Sequence, residues 1–182
     1  MVQKLKSATA AEEVAFYKDR LTWFAKNEPD VKQLVDWMQA GSTGIEHFEI
    51  GEDYSWRILK AYASLTDDAK STIDATPGET DIVKYGKLYC EYAYPSRKQE
   101  KFMEIIEKGP AMSNYEQGNI MGGWIATINK EIMRPCANLY FDNFLNVLNN
   151  TSKEFLEKYC NYLLPGYDQY SVTVEKIREL LP

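Results

Sequence analysis

Ser113-Asn-Tyr-Glu-Gln-Gly-Asn-Ile-Met-Gly-Gly-Trp-Ile-Ala-Thr-Ile-Asn-Lys-Glu-Ile-Met133 is the stretch on which the fold turns. Its first four residues have the form of a capping box. The Ser113 hydroxyl can accept the N–H of Glu116, and the Glu116 carboxylate can reach back to the N–H of Ser113, so that two backbone donors at a helix start are satisfied together. Beyond the box, Met121, Trp124, Ile125, Ile128 and Ile132 recur three and four positions apart, the period of one helix face. Gly118, Gly122 and Gly123 interrupt that pattern, and each glycine costs a helix interior about 1 kcal/mol relative to alanine. A helix that keeps them needs an offsetting close contact with another helix, or uses them as a hinge or a partner's contact surface. Pro135 lacks the N–H that a helix interior uses, so it kinks or divides the segment.

The same punctuation recurs on both sides. Thr9-Ala-Ala-Glu12, Ser96-Arg-Lys-Gln99 and Thr151-Ser-Lys-Glu154 each precede apolar residues at helical spacing. Val14, Tyr17, Leu21 and Phe24 predict a first helix from about Ala10 to Lys26. Pro29 suits a second helix start, Val31, Leu34, Val35 and Met38 give that helix an inner face, and Gly41 suits its end. Gly44 to Asp53 fits neither a helical stripe nor clean alternation. Trp56, Leu59 and Ala63 mark a third helix, and Thr66-Asp-Asp starts a fourth that Pro77-Gly78 stops. Thr80 to Tyr94 is a fifth, terminated by Pro95. Phe102, Ile105 and Ile106 pattern a helix ended by Gly109-Pro110. Phe155, Leu156, Tyr159 and Leu163 form the penultimate helix, and Val174, Ile177 and Leu181 the last. The expectation is all-α: a single domain over residues 1–182, a compact bundle of about eight to ten short helices with one irregular segment near residues 41–53.

Composition agrees with that picture. The 182 residues are 45% hydrophobic and 26% charged, the balance of a globular chain that buries a core of its own. The lysines among the first six residues lead into the polar stretch Ser7 to Glu13 rather than an apolar run, and no window approaches the roughly 18 apolar residues of a membrane span. The sequence therefore reads as cytoplasmic and without a membrane partner. Cys90, Cys136 and Cys160 are far apart and lack CxxC or Cys/His spacing, which points to buried free thiols.

Signatures of catalysis are missing from the sequence. It has no phosphate-binding glycine loop, no GxSxG and no HExxH, and its single histidine, His47, cannot build a multi-histidine metal site. Neither a metal nor a cofactor is expected. Glu46 and Glu49 could orient His47 as a base, but no nucleophile is signalled nearby. Asp67 and Asp68 follow Thr66 at a helix start, where carboxylates favour the positive end of the dipole, so they read as capping groups.

Charge narrows the partners. A net charge of -6 and a pI near 5.0 argue against a nucleic-acid binder, which needs lysine and arginine against phosphate. The one basic cluster, Arg97, Lys98 and Lys101, alternates with Glu100 and Glu104 and reads as a solvated helix face. From Gln33 to Trp56 there are five carboxylates, Asp36, Glu46, Glu49, Glu52 and Asp53, and no lysine or arginine. Such a run suits docking on a basic groove. The 13 tyrosines exceed what a core of this size requires, and Tyr85, Tyr89 and Tyr92 share a helix face suited to a protein partner.

In size, acidity, helical build, tyrosine content and lack of catalytic motifs, the chain resembles the small anti-defence proteins of phages and mobile elements, anti-CRISPR inhibitors among them. The resemblance is one of overall character and carries over no residue. It implies a non-catalytic inhibitor that binds a nuclease or ribonucleoprotein with a basic surface and blocks nucleic-acid binding or cleavage. The alternatives are a small enzyme with a carboxylate/His47 centre, or a helical structural or assembly protein.

Overall fold

Helix boundaries follow the punctuation in most places. The computed structural model describes the chain except residues 1, 9, 26, 128, 166–175 and 179–182, with the backbone alone at 2, 3, 6, 23, 24 and 130. Among the described residues eleven α-helices are bounded, in order: α1 Val2–Ser7, α2 Ala11–Phe24, α3 Glu28–Ala40, α4 Glu52–Ala63, α5 Ala69–Ala75, α6 Asp81–Ala93, α7 Lys98–Lys108, α8 Asn114–Ile125, α9 Lys130–Met133, α10 Cys136–Asn150 and α11 Lys153–Lys158. Among the described residues there is no strand, and the all-α reading holds.

The capping signals fare unequally. Ser113 forms the full box, its hydroxyl accepting from the Glu116 N–H at 3.3 Å while the Glu116 carboxylate accepts from the Ser113 N–H at 3.0 Å. Thr9 lies outside the described residues. Ser96 caps nothing, because Pro95 to Arg97 form a 3-10 turn first and delay α7 to Lys98. At the third site the cap falls one residue later than expected: Ser152 accepts from the Phe155 N–H, while the Thr151 hydroxyl donates back to the Val147 carbonyl at 2.8 Å. The long segment breaks first after Ile125, where α8 ends, and again at Pro135, which stands between α9 and α10. The predicted last helix falls mostly outside the described residues, of which 176–178 are helical. α11 runs on into a π-helical turn, Tyr159–Leu163, that the sequence did not signal.

Apolar side chains gather in two clusters. Leu5, Val14, Leu34, Trp56, Ile58, Leu59 and Ile73 belong to the first, and Phe102, Ile105, Ile120, Met121, Trp124, Phe155 and Tyr159 to the second. α6 is the wall between them, giving Val83, Cys90 and Ala93 to one cluster and Tyr92 to the other. Two of its contacts depend on missing side chains. A Cβ on Gly86 would lie 2.3 Å from the Trp56 ring of α4, and a Cβ on Gly123 of α8 would lie 2.1 Å from the Tyr89 carbonyl oxygen. A Cβ on Gly122 would lie 3.3 Å from the Tyr89 ring. Gly118, by contrast, has nothing within 4 Å of the place a Cβ would take. The cost of glycine is offset at Gly123 by backbone contact, and no contact within the described structure offsets it at Gly118.

The basic cluster departs from its reading as a solvated face. Arg97 is half-buried, whereas Lys98 is 2% exposed and Lys101 4% exposed. Lys101 is enclosed by Glu91 at 2.8 Å and Glu104 at 2.6 Å, with the Tyr92 ring 4.7 Å from its ammonium. Lys98 donates to the carbonyls of Tyr92 at 2.9 Å, Gly123 at 3.2 Å and Trp124 at 2.6 Å. Sequence position explains both: Lys98 lies four before Phe102 and seven before Ile105, and so falls on the buried stripe of α7. The Trp124 indole N–H returns a hydrogen bond to the Lys98 carbonyl at 2.8 Å, and the Thr127 hydroxyl donates to the Ala93 carbonyl at 3.1 Å. The carboxyl ends of α6 and α8 are thus tied together by side chains.

Candidate functional site

The segment after α3 presents most of the acidic run. α3 ends at Gly41, whose φ of 64° is the left-handed conformation that glycine adopts without a Cβ clash. Thr43, 8% exposed, then organises the turn: its hydroxyl accepts from the Ile45 N–H at 3.1 Å and donates to the Phe48 carbonyl at 2.9 Å. Phe48 points inward, edge-on to Trp37 and Tyr54 with ring centres 6.1 and 5.7 Å away. With Thr43 and Phe48 as anchors, Glu46, His47 and Glu49 face outward.

Glu52 and Asp53 continue the acidic surface from the first turn of α4, both exposed, where the helix dipole favours their charge. Two cations approach from neighbouring positions. Lys18 of α2 donates to the Glu49 carbonyl and lies 5.4 and 5.3 Å from the Phe48 and Tyr54 ring centres. Arg57 of α4 pairs with Asp19 at 3.1 Å. The Tyr54 hydroxyl donates to the Lys18 carbonyl at 2.8 Å, and burial pushes this phenol well above its usual range. Among the described residues no lysine or arginine side chain pairs with Glu46, Glu49, Glu52 or Asp53. Asp36 is exposed on α3 and forms no ion pair with a described residue.

His47 has a φ of 62°, an uncommon conformation for a non-glycine residue, and its Nε2 lies 3.5 Å from a Glu46 carboxylate oxygen. The nearest hydroxyls of the loop are committed to the turn, Thr43 as above and Ser42 accepting from the Gly44 N–H at 3.3 Å. The pair is a histidine beside a carboxylate. Among the described residues no group of three or more metal-ligating side chains is present. The cysteines are free thiols; burial pushes Cys90 up to about 12 and Cys136 up to about 11, which keeps both protonated and inert.

The tyrosine face is partitioned by its surroundings. Tyr92 is 3% exposed and belongs to the core, so its assignment to a partner surface is corrected. Tyr89 is half-buried over Gly122, with the Lys60 ammonium 4.7 Å from its ring. Tyr85 is half-buried and meets the edge of Tyr115 at 4.4 Å. Periodicity placed all three on one face, but that face meets α8. Tyr115, 63% exposed and outside the predicted set, is the most open large apolar side chain among those described. Its place in the first turn of α8, just before the capping Glu116, was the available signal.

No described helix is long and apolar enough to cross a membrane. No protein-family model matches the chain, and no curated protein matches it.

Proposed function

We propose that the chain is a non-catalytic protein-binding inhibitor that docks the acidic edge formed by Glu46, Glu49, Glu52 and Asp53 on a basic surface of its partner. The nucleic-acid channel of an RNA-guided nuclease is a surface of that chemistry. One observation carries the reading: four exposed carboxylates stand on a loop and helix start braced by Thr43 and Phe48, while the nearby cations Lys18 and Arg57 are turned to the Glu49 backbone and to Asp19. A braced loop presents its charges with little ordering cost on binding, and carboxylates without a lysine or arginine partner among the described residues keep their field for a partner.

The test is charge reversal. A variant carrying E46K, E49K, E52K and D53K is compared with the native protein for binding to, and inhibition of, an RNA-guided nuclease complex. Association is expected to slow at least about tenfold in the variant, and native association to slow as salt rises from about 50 to about 200 mM, since exposed charges are screened over such a range. Native-like inhibition by the reversed protein would reject the acidic edge as the docking surface.

A further inference from the structure

The buried Lys98 ammonium is used by nothing in that reading. It occupies the first position of α7 and meets the backbone exclusively where two other helices end: Tyr92 is next to last in α6, and Gly123 and Trp124 lie in the last turn of α8. Helix carboxyl ends carry carbonyls without in-helix donors and the negative pole of the dipole, so a cation suits both. Among the described residues no carboxylate forms an ion pair with Lys98; Asp67 and Cys136 act on it from a distance.

Donor counting gives the site its property. An ammonium has three N–H bonds and a neutral amine two. Three carbonyls share this nitrogen, so the observed geometry is that of the charged form. Burial works against that charge and pulls the ammonium down to about 7, far below its usual 10.5. We propose that Lys98 is a proton-operated clasp between the ends of α6 and α8: charged, it holds three carbonyls, and neutral, it can hold only two, so that one of its ties to the last turn of α8 is lost. The Gly123 carbonyl, the longest contact at 3.2 Å, is the one released, and it keeps only the Ala126 N–H that it already accepts at 3.2 Å.

The groups around the clasp keep their state while it switches. From α10, the Cys136 thiol stays neutral, pushed up to about 11 by burial. From α6, the Tyr92 phenol is also raised by burial and stays neutral. On α7 itself, Lys101 is held by Glu91 and Glu104. Asp67, in the turn before α5, favours the charged clasp. α8 presents only carbonyls there, since its Tyr115 and Glu116 stand at the other end of the helix.

Trp124 is a built-in reporter, because its indole N–H donates to the Lys98 carbonyl while its own carbonyl accepts from the Lys98 ammonium. In the full-length protein, the carbon and nitrogen resonances of the Lys98 side chain and the indole N–H of Trp124 are followed from about pH 6 to about pH 10.5. One shared transition is expected, with its midpoint at least about two units below the roughly 10.4 of exposed lysines. In K98M, which keeps the methylenes without the charge, the Trp124 transition disappears. If K98M does not fold, the native titration decides alone. Lys98 titrating together with the surface lysines overturns the clasp, and so does a Trp124 indole that stays still while Lys98 titrates.

Discussion

Gly118 and Gly123 are alike in sequence and opposite in what surrounds them. A methyl at position 123 would stand 2.1 Å from the Tyr89 carbonyl, and backbone cannot swing aside as a side chain does. Gly123→Ala is expected to lose about 1–3 kcal/mol of stability, an overpacking cost that exceeds the helix-propensity gain of about 1 kcal/mol. At position 118 nothing opposes the methyl, so Gly118→Ala should gain up to about 1 kcal/mol. Urea denaturation of the two variants checks both signs. If Gly123→Ala gains stability, the α6–α8 approach there is not the close backbone contact described, and if Gly118→Ala loses it, position 118 is not open.

At the level of elements, the starts of α8 and α11 are set by single hydroxyls. Ser113→Ala and Ser152→Ala should each cost about 1 kcal/mol, measured as a lowered denaturation midpoint with an unchanged slope. Thr151→Ala should cost less, because its hydroxyl bonds a carbonyl at the end of α10 and leaves the cap in place. Helix class was legible in the sequence because caps and apolar periods agreed at Ser113, Gly41 and Pro95. Element edges were less so: two adjacent hydroxyl residues at 151 and 152 offer the same chemistry, and only the path of the preceding turn selects one. Lys98 was misjudged for a different reason. Its charge argued for solvent while its register with Phe102 and Ile105 argued for burial, and the carbonyls that resolve the conflict come from helices distant in sequence. The acidic edge was legible as composition, whereas the Thr43 and Phe48 anchors that brace it depend on tertiary packing.

For the whole molecule, buried titratable groups set how stability varies with pH. Lys98 has a folded value near 7 against 10.5 unfolded, so the unfolded chain binds more protons between those limits and stability climbs with pH there. The Cys90 and Cys136 thiols are raised above their ordinary 9.0, and the phenols of Tyr54, Tyr89, Tyr92, Tyr94 and Tyr140 above their ordinary 10.0, in every case mainly by burial. The unfolded chain sheds those protons first, so above 9 and then more steeply above 10 stability falls. At the acid end burial opposes ionisation of Glu104, but hydrogen bonds and charge from Lys101 and Lys108 prevail and hold its carboxyl down at about 2. Its contribution is complete above 4.5 and fades as pH falls towards 2. Denaturation midpoints across the range should therefore rise from neutrality to a maximum near pH 9, drop beyond it, and drop again below about 4.5. A profile that declines steadily from pH 7 to pH 9 would contradict the buried lysine.

The meeting of Gly123 with Tyr89 also limits the routes open to this sequence as it diverges. Every replacement of a glycine adds at least one carbon, and at this position the first carbon already collides with main chain. Position 123 is therefore closed to gradual drift, since no smaller intermediate residue exists through which the site can widen. Its neighbour five residues earlier is open to most of the amino acids a helix surface tolerates. In a library of all single variants selected for folding, the glycine at 123 should stand almost alone while 118 fills with alternatives.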